Sequence, residues 1–167
     1  MEILSLLILW LHIIAAVIWI GGNLVMAMVI VPYFKQSLSP MERIKILTQI
    51  GRGFEPIVWA CVLVLIFSGL FNIFTSGALS SPDLIGPFMR TLGIKLLLVI
   101  ILIILTGLHA FIMGPRLAQA VETLEPNTEE LPENIEKMRS QMAVVSSLIG
   151  VFSLLVLLAA VALRMGI

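Results

Sequence analysis

The chain has 167 residues, 60% of them hydrophobic and 12% charged, with zero net charge. A soluble domain carries about twice that share of charged residues, and a neutral chain offers no electrostatic footprint for nucleic acid, so both classes are excluded. One cysteine, Cys61, rules out an intramolecular disulfide and a CxxC redox pair; it reads as a small packing residue.

No Asp, Glu, Lys or Arg occurs in residues 3–34, 56–82, 96–115 or 140–163. Each run is as long as the ~20 apolar residues that span a hydrocarbon core. The sequence therefore predicts an all-α integral membrane protein: a bundle of four transmembrane helices forming a single membrane domain over residues 1–167. The expected helices cover about 3–33, 54–75, 88–114 and 133–164. The first run has no basic n-region and far exceeds a signal-peptide core of about 7–15 residues, so it should remain as helix one.

Helix one carries His12, Ala16, Trp19, Asn23 and Met26 at spacings of four and three, which makes one stripe. Ala15, Gly21 and Gly22 flank it, a face narrow enough for another helix or a flat ligand. Pro32 is expected to stop this helix. In the link 34–53, Ser39-Pro40-Met41-Glu42 has the form of a capping box with Pro at the first helical position. It predicts a short interfacial helix ending at Gly51-Arg52-Gly53. Helix two offers Glu55, Trp59, Val62, Ile66 and Gly69. A Ser/Gly/Pro-rich turn follows at 76–87. Helix three repeats the polar-ended stripe with Lys95, Leu98, Leu102, Leu105 and His109, and Met113 stands one turn beyond; Pro115 should end it. The link 115–132 leads into helix four and belongs to an acidic stretch with Glu122, Glu125, Glu129, Glu130, Glu133 and Glu136, read as solvated. Helix four presents Met142, Ser146, Gly150 and Ser153.

Both histidines fall inside apolar runs, where an ionisable group is costly and usually functional. Helices one and three run in the same direction, yet His12 precedes the centre of its helix and His109 follows the centre of its own. At 1.5 Å per residue the two should stand about 15 Å apart along the membrane normal, too far for one haem held by both. Two layers are expected. The outer one holds His12 and Lys95, with Arg90 just above and Asn72 nearby; a haem on His12 would turn its propionates toward Lys95 and Arg90. The inner one holds His109, Met113, Glu55 and Arg52, with Met26, Met28 and Met142 at similar depth. Imidazole with thioethers suits Cu(I), and Glu55 would orient His109 or take its proton. Plain structural alternatives stand beside these: histidines bonded to a neighbouring helix, methionines filling gaps, Lys95 snorkelling, and Arg52 paired with Glu55. No nucleophile–base–acid set of a hydrolase is visible, and no catalytic residue can be assigned.

Leu11-His12-Ile13-Ile14-Ala15-Ala16-Val17-Ile18-Trp19-Ile20-Gly21-Gly22 is similar to the first-helix "LH…WxGG" pattern of the copper-resistance protein D (CopD) family. Gly93-Ile94-Lys95-Leu96-Leu97-Leu98-Val99, continuing to Leu108-His109, resembles the third helix shared by CopD-like proteins and HemJ-type protoporphyrinogen oxidases. Two departures stand out. Pro32 is followed by Tyr33 rather than the Arg of HemJ-type proteins, and longer CopD proteins carry further helices, so this chain matches a core unit. The resemblance implies a membrane protein tied to haem or copper, and the leading expectation is a b-type haem protein of the inner (plasma) membrane acting in electron transfer or quinone-coupled oxidation. By position His12, Lys95 and His109 match the family's histidines and lysine; the cofactor-binding candidates are His12, His109, Lys95, Arg90 and Trp19, with His12 the leading candidate for an axial ligand and His109 the next. The alternative is a copper-handling protein whose metal ligands come from His12, His109 and Met113; a cofactor-free structural or assembly subunit is a third reading. The expected partners are the bilayer, a quinone or membrane redox protein, and a second copy of the chain, since a symmetric homodimer would set two His12 residues at one depth for a shared haem.

Orientation follows from Lys and Arg. Lys35, Arg43, Lys45, Arg52, Arg116, Lys137 and Arg139 lie on the side of the two long links, against Arg90, Lys95 and Arg164 on the other. Both links are expected in the cytoplasm and both termini outside. In intact cells, an impermeant thiol reagent should label a Ser81→Cys variant and spare Thr128→Cys; the opposite pattern would invert the topology.

Overall fold

A computed structural model describes residues 2–75, 86–123 and 132–165 of the chain. They form four long helices: α1 Glu2–Ser37, α2 Pro40–Thr75, α3 Pro87–Glu122 and α4 Glu133–Met165. All four are long and apolar enough to cross a membrane, and the protein is an all-α, multi-pass membrane protein. Thirty-six residues, the length of α1, α2 and α3, rise about 54 Å against a core of ~30 Å, so each of these helices projects well into the headgroup layer or beyond. Most of the turn expected at 76–87, and Glu125, Glu129 and Glu130, lie outside the described residues.

The helices pack in a ring, α1 on α2, α2 on α3, α3 on α4 and α4 back on α1, with the α1–α2 and α3–α4 hairpins most extensively joined. Leu38 in extended conformation and Ser39 separate α1 from α2. The capping box is formed: Ser39 N–H and Oγ–H both donate to Glu42 Oε2, at 3.1 and 2.7 Å, and Glu42 N–H donates to Ser39 Oγ at 3.3 Å. Hereafter the end carrying Pro40 and Glu133 is the link end, and the other the terminal end.

Three expected breaks are continuous helix instead. Pro32 does not stop α1, nor Pro115 α3, because each proline follows a π-helical stretch, Met26–Ile30 and Leu108–Met113. There Val31 N–H reaches the Met26 carbonyl and Gly114 N–H the His109 carbonyl. An added residue per turn shifts the donors just ahead of the ring, which lacks an N–H and crowds the carbonyl four residues back. Gly51-Arg52-Gly53 also stays helical. Buried anchors on both sides hold it in register: Ile44 in the link-end cluster and Val58 in the central core.

The central core joins Ala15, Trp19, Val58, Cys61, Val62, Leu102 and Ile149, from all four helices. A second cluster, Ile44, Leu117, Val121 and Ile135, ties α2, α3 and α4 together at the link end. Many other leucines, isoleucines and valines on the helices face outward, as lipid-facing residues do. The buried hydroxyls of Ser68, Thr106 and Ser153 donate to carbonyls one turn back in their own helices, which satisfies them without water.

The α1–α2 approach depends on Gly22. A Cβ there would stand 2.2 Å from Phe54 Cζ, so the phenyl ring meets the bare glycine end-on and fills the slot expected for a flat ligand. Gly22→Ala should therefore cost about 1–3 kcal/mol by overpacking, seen as a lower thermal midpoint in detergent. Phe54→Leu in the same chain should restore most of the loss; an unshifted midpoint in Gly22→Ala would show that the ring withdraws freely.

Candidate functional site

Each hairpin contains one histidine, and each histidine is bonded to a serine on the paired helix. His12 Nδ1 lies 2.7 Å from Ser68 Oγ across α1–α2. His109 Nε2 lies 2.9 Å from Ser146 Oγ across α3–α4. A hydroxyl has one proton, and both serines direct theirs to their own helix: Ser68 to the Val64 carbonyl, Ser146 to the Met142 carbonyl at 2.9 Å. With the serine proton kept on its own helix, the imidazole nitrogen is the donor in each pair, and an outer hydrogen bond of this kind orients the ring of a metal-binding histidine.

The two imidazoles stand on different levels. His12 meets Ser68 and the edge of Gly69 on α2. Near His109, Phe111 stacks on Trp59 of α2 with centroids 4.9 Å apart, and Trp59 also contacts Gly107. Ser68 and Trp59 are nine residues apart on α2; after allowing for the two residues from His109 to Phe111, the histidines are separated by roughly 10 Å along the bundle. Lys95 is half-buried and stands fourteen residues before His109 on α3, toward the terminal end. Arg90 lies a turn and a half toward that end and is exposed. Asn72 lines an open cleft there with Ser5, Leu6, Leu9 and Thr75. Trp19 is 4% exposed and belongs to the central core.

The inner level differs from expectation in three respects. Glu55 does not bond His109, whose hydrogen bond runs to Ser146. Arg52 pairs with Glu122 of α3 at 3.7 Å rather than with Glu55, because α2 continues straight past Gly53 and carries Arg52 to the end of α3. Met28 is 73% exposed and faces outward, since the π stretch advances that turn. The remaining thioethers are better placed. Met113 follows His109 by one turn on α3, and Met142 precedes Ser146 by one turn on the antiparallel α4. Both steps lead toward the link end, so half-buried Met113 and Met142 flank the same side of the His109–Ser146 contact. Gly114 belongs to the arrangement too: a Cβ there would come within 3.3 Å of the His109 carbonyl. No group of three or more His, Cys, Asp or Glu gathers among the described residues. Ser68 was not singled out by sequence, and Ser146 only as a small residue; a serine lacks periodic or charge signal, and only the pairing of helices reveals its partner.

An uncharacterised protein of Aquifex aeolicus (strain VF5) is 27% identical over 110 residues, covering 66% of this chain and 71% of that protein. No solved structure matches significantly. The family model of copper resistance protein D matches residues 48–163, well over half of the chain and all of α3 and its Lys95 and His109; the chain belongs to the copper resistance protein D family.

Proposed function

We propose that this protein binds and passes copper within the membrane, as Cu(I), at the level of His109. The observation that carries the reading is His109 bonded to Ser146, with Met113 one turn along α3 and Met142 one turn along α4, both on the link-end side of that contact. Cu(I) is soft and takes imidazole and thioether donors readily, and a family linked to copper resistance is its fitting setting. Neutral donors suit cargo that must leave again: a thiolate or carboxylate cage would hold the ion more tightly. Ser146 keeps the imidazole oriented. The haem reading drawn from the resemblance has less support. At His12 the imidazole packs directly on Ser68 and Gly69, and the Gly22 slot is taken by Phe54. In this proposal the link end lies in the cytoplasm, following the Lys/Arg asymmetry, which sets His109 toward the cytoplasmic leaflet and His12 toward the outer one.

Titration of the purified protein with Cu(I) against a chromophoric chelator tests the proposal. Met113→Leu, Met142→Leu and His109→Ala should each weaken copper binding at least tenfold, and Ser146→Ala by about tenfold through loss of the orienting bond; His12→Ala should leave it unchanged. Undiminished binding in His109→Ala would refute the site. A Soret band with stoichiometric iron in the purified protein, abolished by His12→Ala, would restore the haem reading.

A further inference from the structure

A different site lies at the link end, remote from both histidines. Lys45, Thr48, Gln49 and Arg52 recur along α2 at intervals of three, one and three, which gathers four donors into one stripe. Opposite them stand Ala118, Val121 and Glu122 of α3, and the two helices enclose a cavity of about 200 Å³. Ala118 and Val121 are buried and give it an apolar floor. Its walls carry two cations against one carboxylate, with a hydroxyl and an amide between them.

The depth of this cavity specifies its occupant. The charge-free part of α2 begins at Pro56, and twenty residues from there to Thr75 already make about 30 Å, the full hydrocarbon thickness. Arg52 and Gln49 therefore lie about 6–10 Å past the hydrocarbon edge, where phosphate headgroups are found, with Lys45 farther out. Glu122 neutralises Arg52 at 3.7 Å, but both side chains are more than half exposed, and an exposed pair of this kind contributes little. A phosphate can displace the carboxylate at small cost and gain charge-assisted hydrogen bonds from Arg52 and Lys45. The apolar floor suits the glycerol and upper acyl carbons that accompany a lipid phosphate, which a free ion lacks. We infer that the cavity between α2 and α3 binds the phosphodiester headgroup of an anionic phospholipid, with Glu122 as the internal competitor that vacates Arg52 when the lipid arrives. Basic pockets between transmembrane helices on the side rich in Lys and Arg bind such headgroups in general.

The test uses the full-length protein in detergent, with binding followed by native mass spectrometry and thermal midpoint. Phosphatidylglycerol should bind and stabilise, whereas phosphatidylcholine with the same acyl chains should do neither. The exposed double substitution Lys45→Gln/Arg52→Gln should weaken phosphatidylglycerol binding about tenfold or more, and Glu122→Gln should tighten it severalfold. The opposite sign expected for Glu122→Gln separates specific binding from a general loss of folding. Equal binding of the two lipids, or an undiminished preference in the double variant, overturns the inference. Stabilisation by inorganic phosphate at the same concentration as the lipid would make the occupant a soluble anion and overturn the lipid assignment.

Discussion

In hydrocarbon, no water takes up a polar group left unpaired, and this constraint organises the whole molecule. It makes each crossing a helix, and it explains how prolines survive in α1 and α3. A proline removes a donor and crowds a carbonyl; the π stretches at Met26–Ile30 and Leu108–Met113 redirect the neighbouring bonds and let the helices run on. The same rule directs Ser68, Thr106 and Ser153 to their own backbones. The indole N–H groups of Trp19 and Trp59 are the exception, with no acceptor among the described residues. An unmet donor of this kind costs about 1–3 kcal/mol, and Trp59 at least gains ring stacking on Phe111 in return.

Each serine hydroxyl lies against a carbonyl of its own helix and an imidazole nitrogen of the paired helix, so the same contact that satisfies the hydroxyl orients the ring. The π stretch that spares α3 from Pro115 also contains His109, and its last bond ends on the His109 carbonyl. The irregularity and the candidate ligand are one local feature, as π-bulges at functional sites often are.

The link end obeys different physics. Beyond the hydrocarbon edge water screens charge, so the exposed Arg52–Glu122 pair holds little energy and can be exchanged. What keeps the helix ends together there is apolar: Ile44, Leu117, Val121 and Ile135 close over one another beneath the charged rim. Copper at His109 and a lipid headgroup at Arg52 would occupy separate levels of one bundle, one inside the bilayer and one at its surface.

The sequence by itself determined the membrane class, the four crossings and the capping box at Ser39, because these depend on runs of uncharged residues and on contacts three residues apart. It also placed the histidines on different levels, since rise per residue is fixed by the helix. Tertiary structure decided the rest. The bonding of His12 to Ser68 and His109 to Ser146, the outward turn of Met28, the pairing of Arg52 with Glu122 and the filling of the Gly22 slot by Phe54 all depend on how each helix is rotated about its axis. In an aqueous protein polar and apolar faces announce that rotation. In a chain whose helices are apolar all round, the pattern that would reveal it is nearly absent, and only packing against neighbouring helices sets the angle.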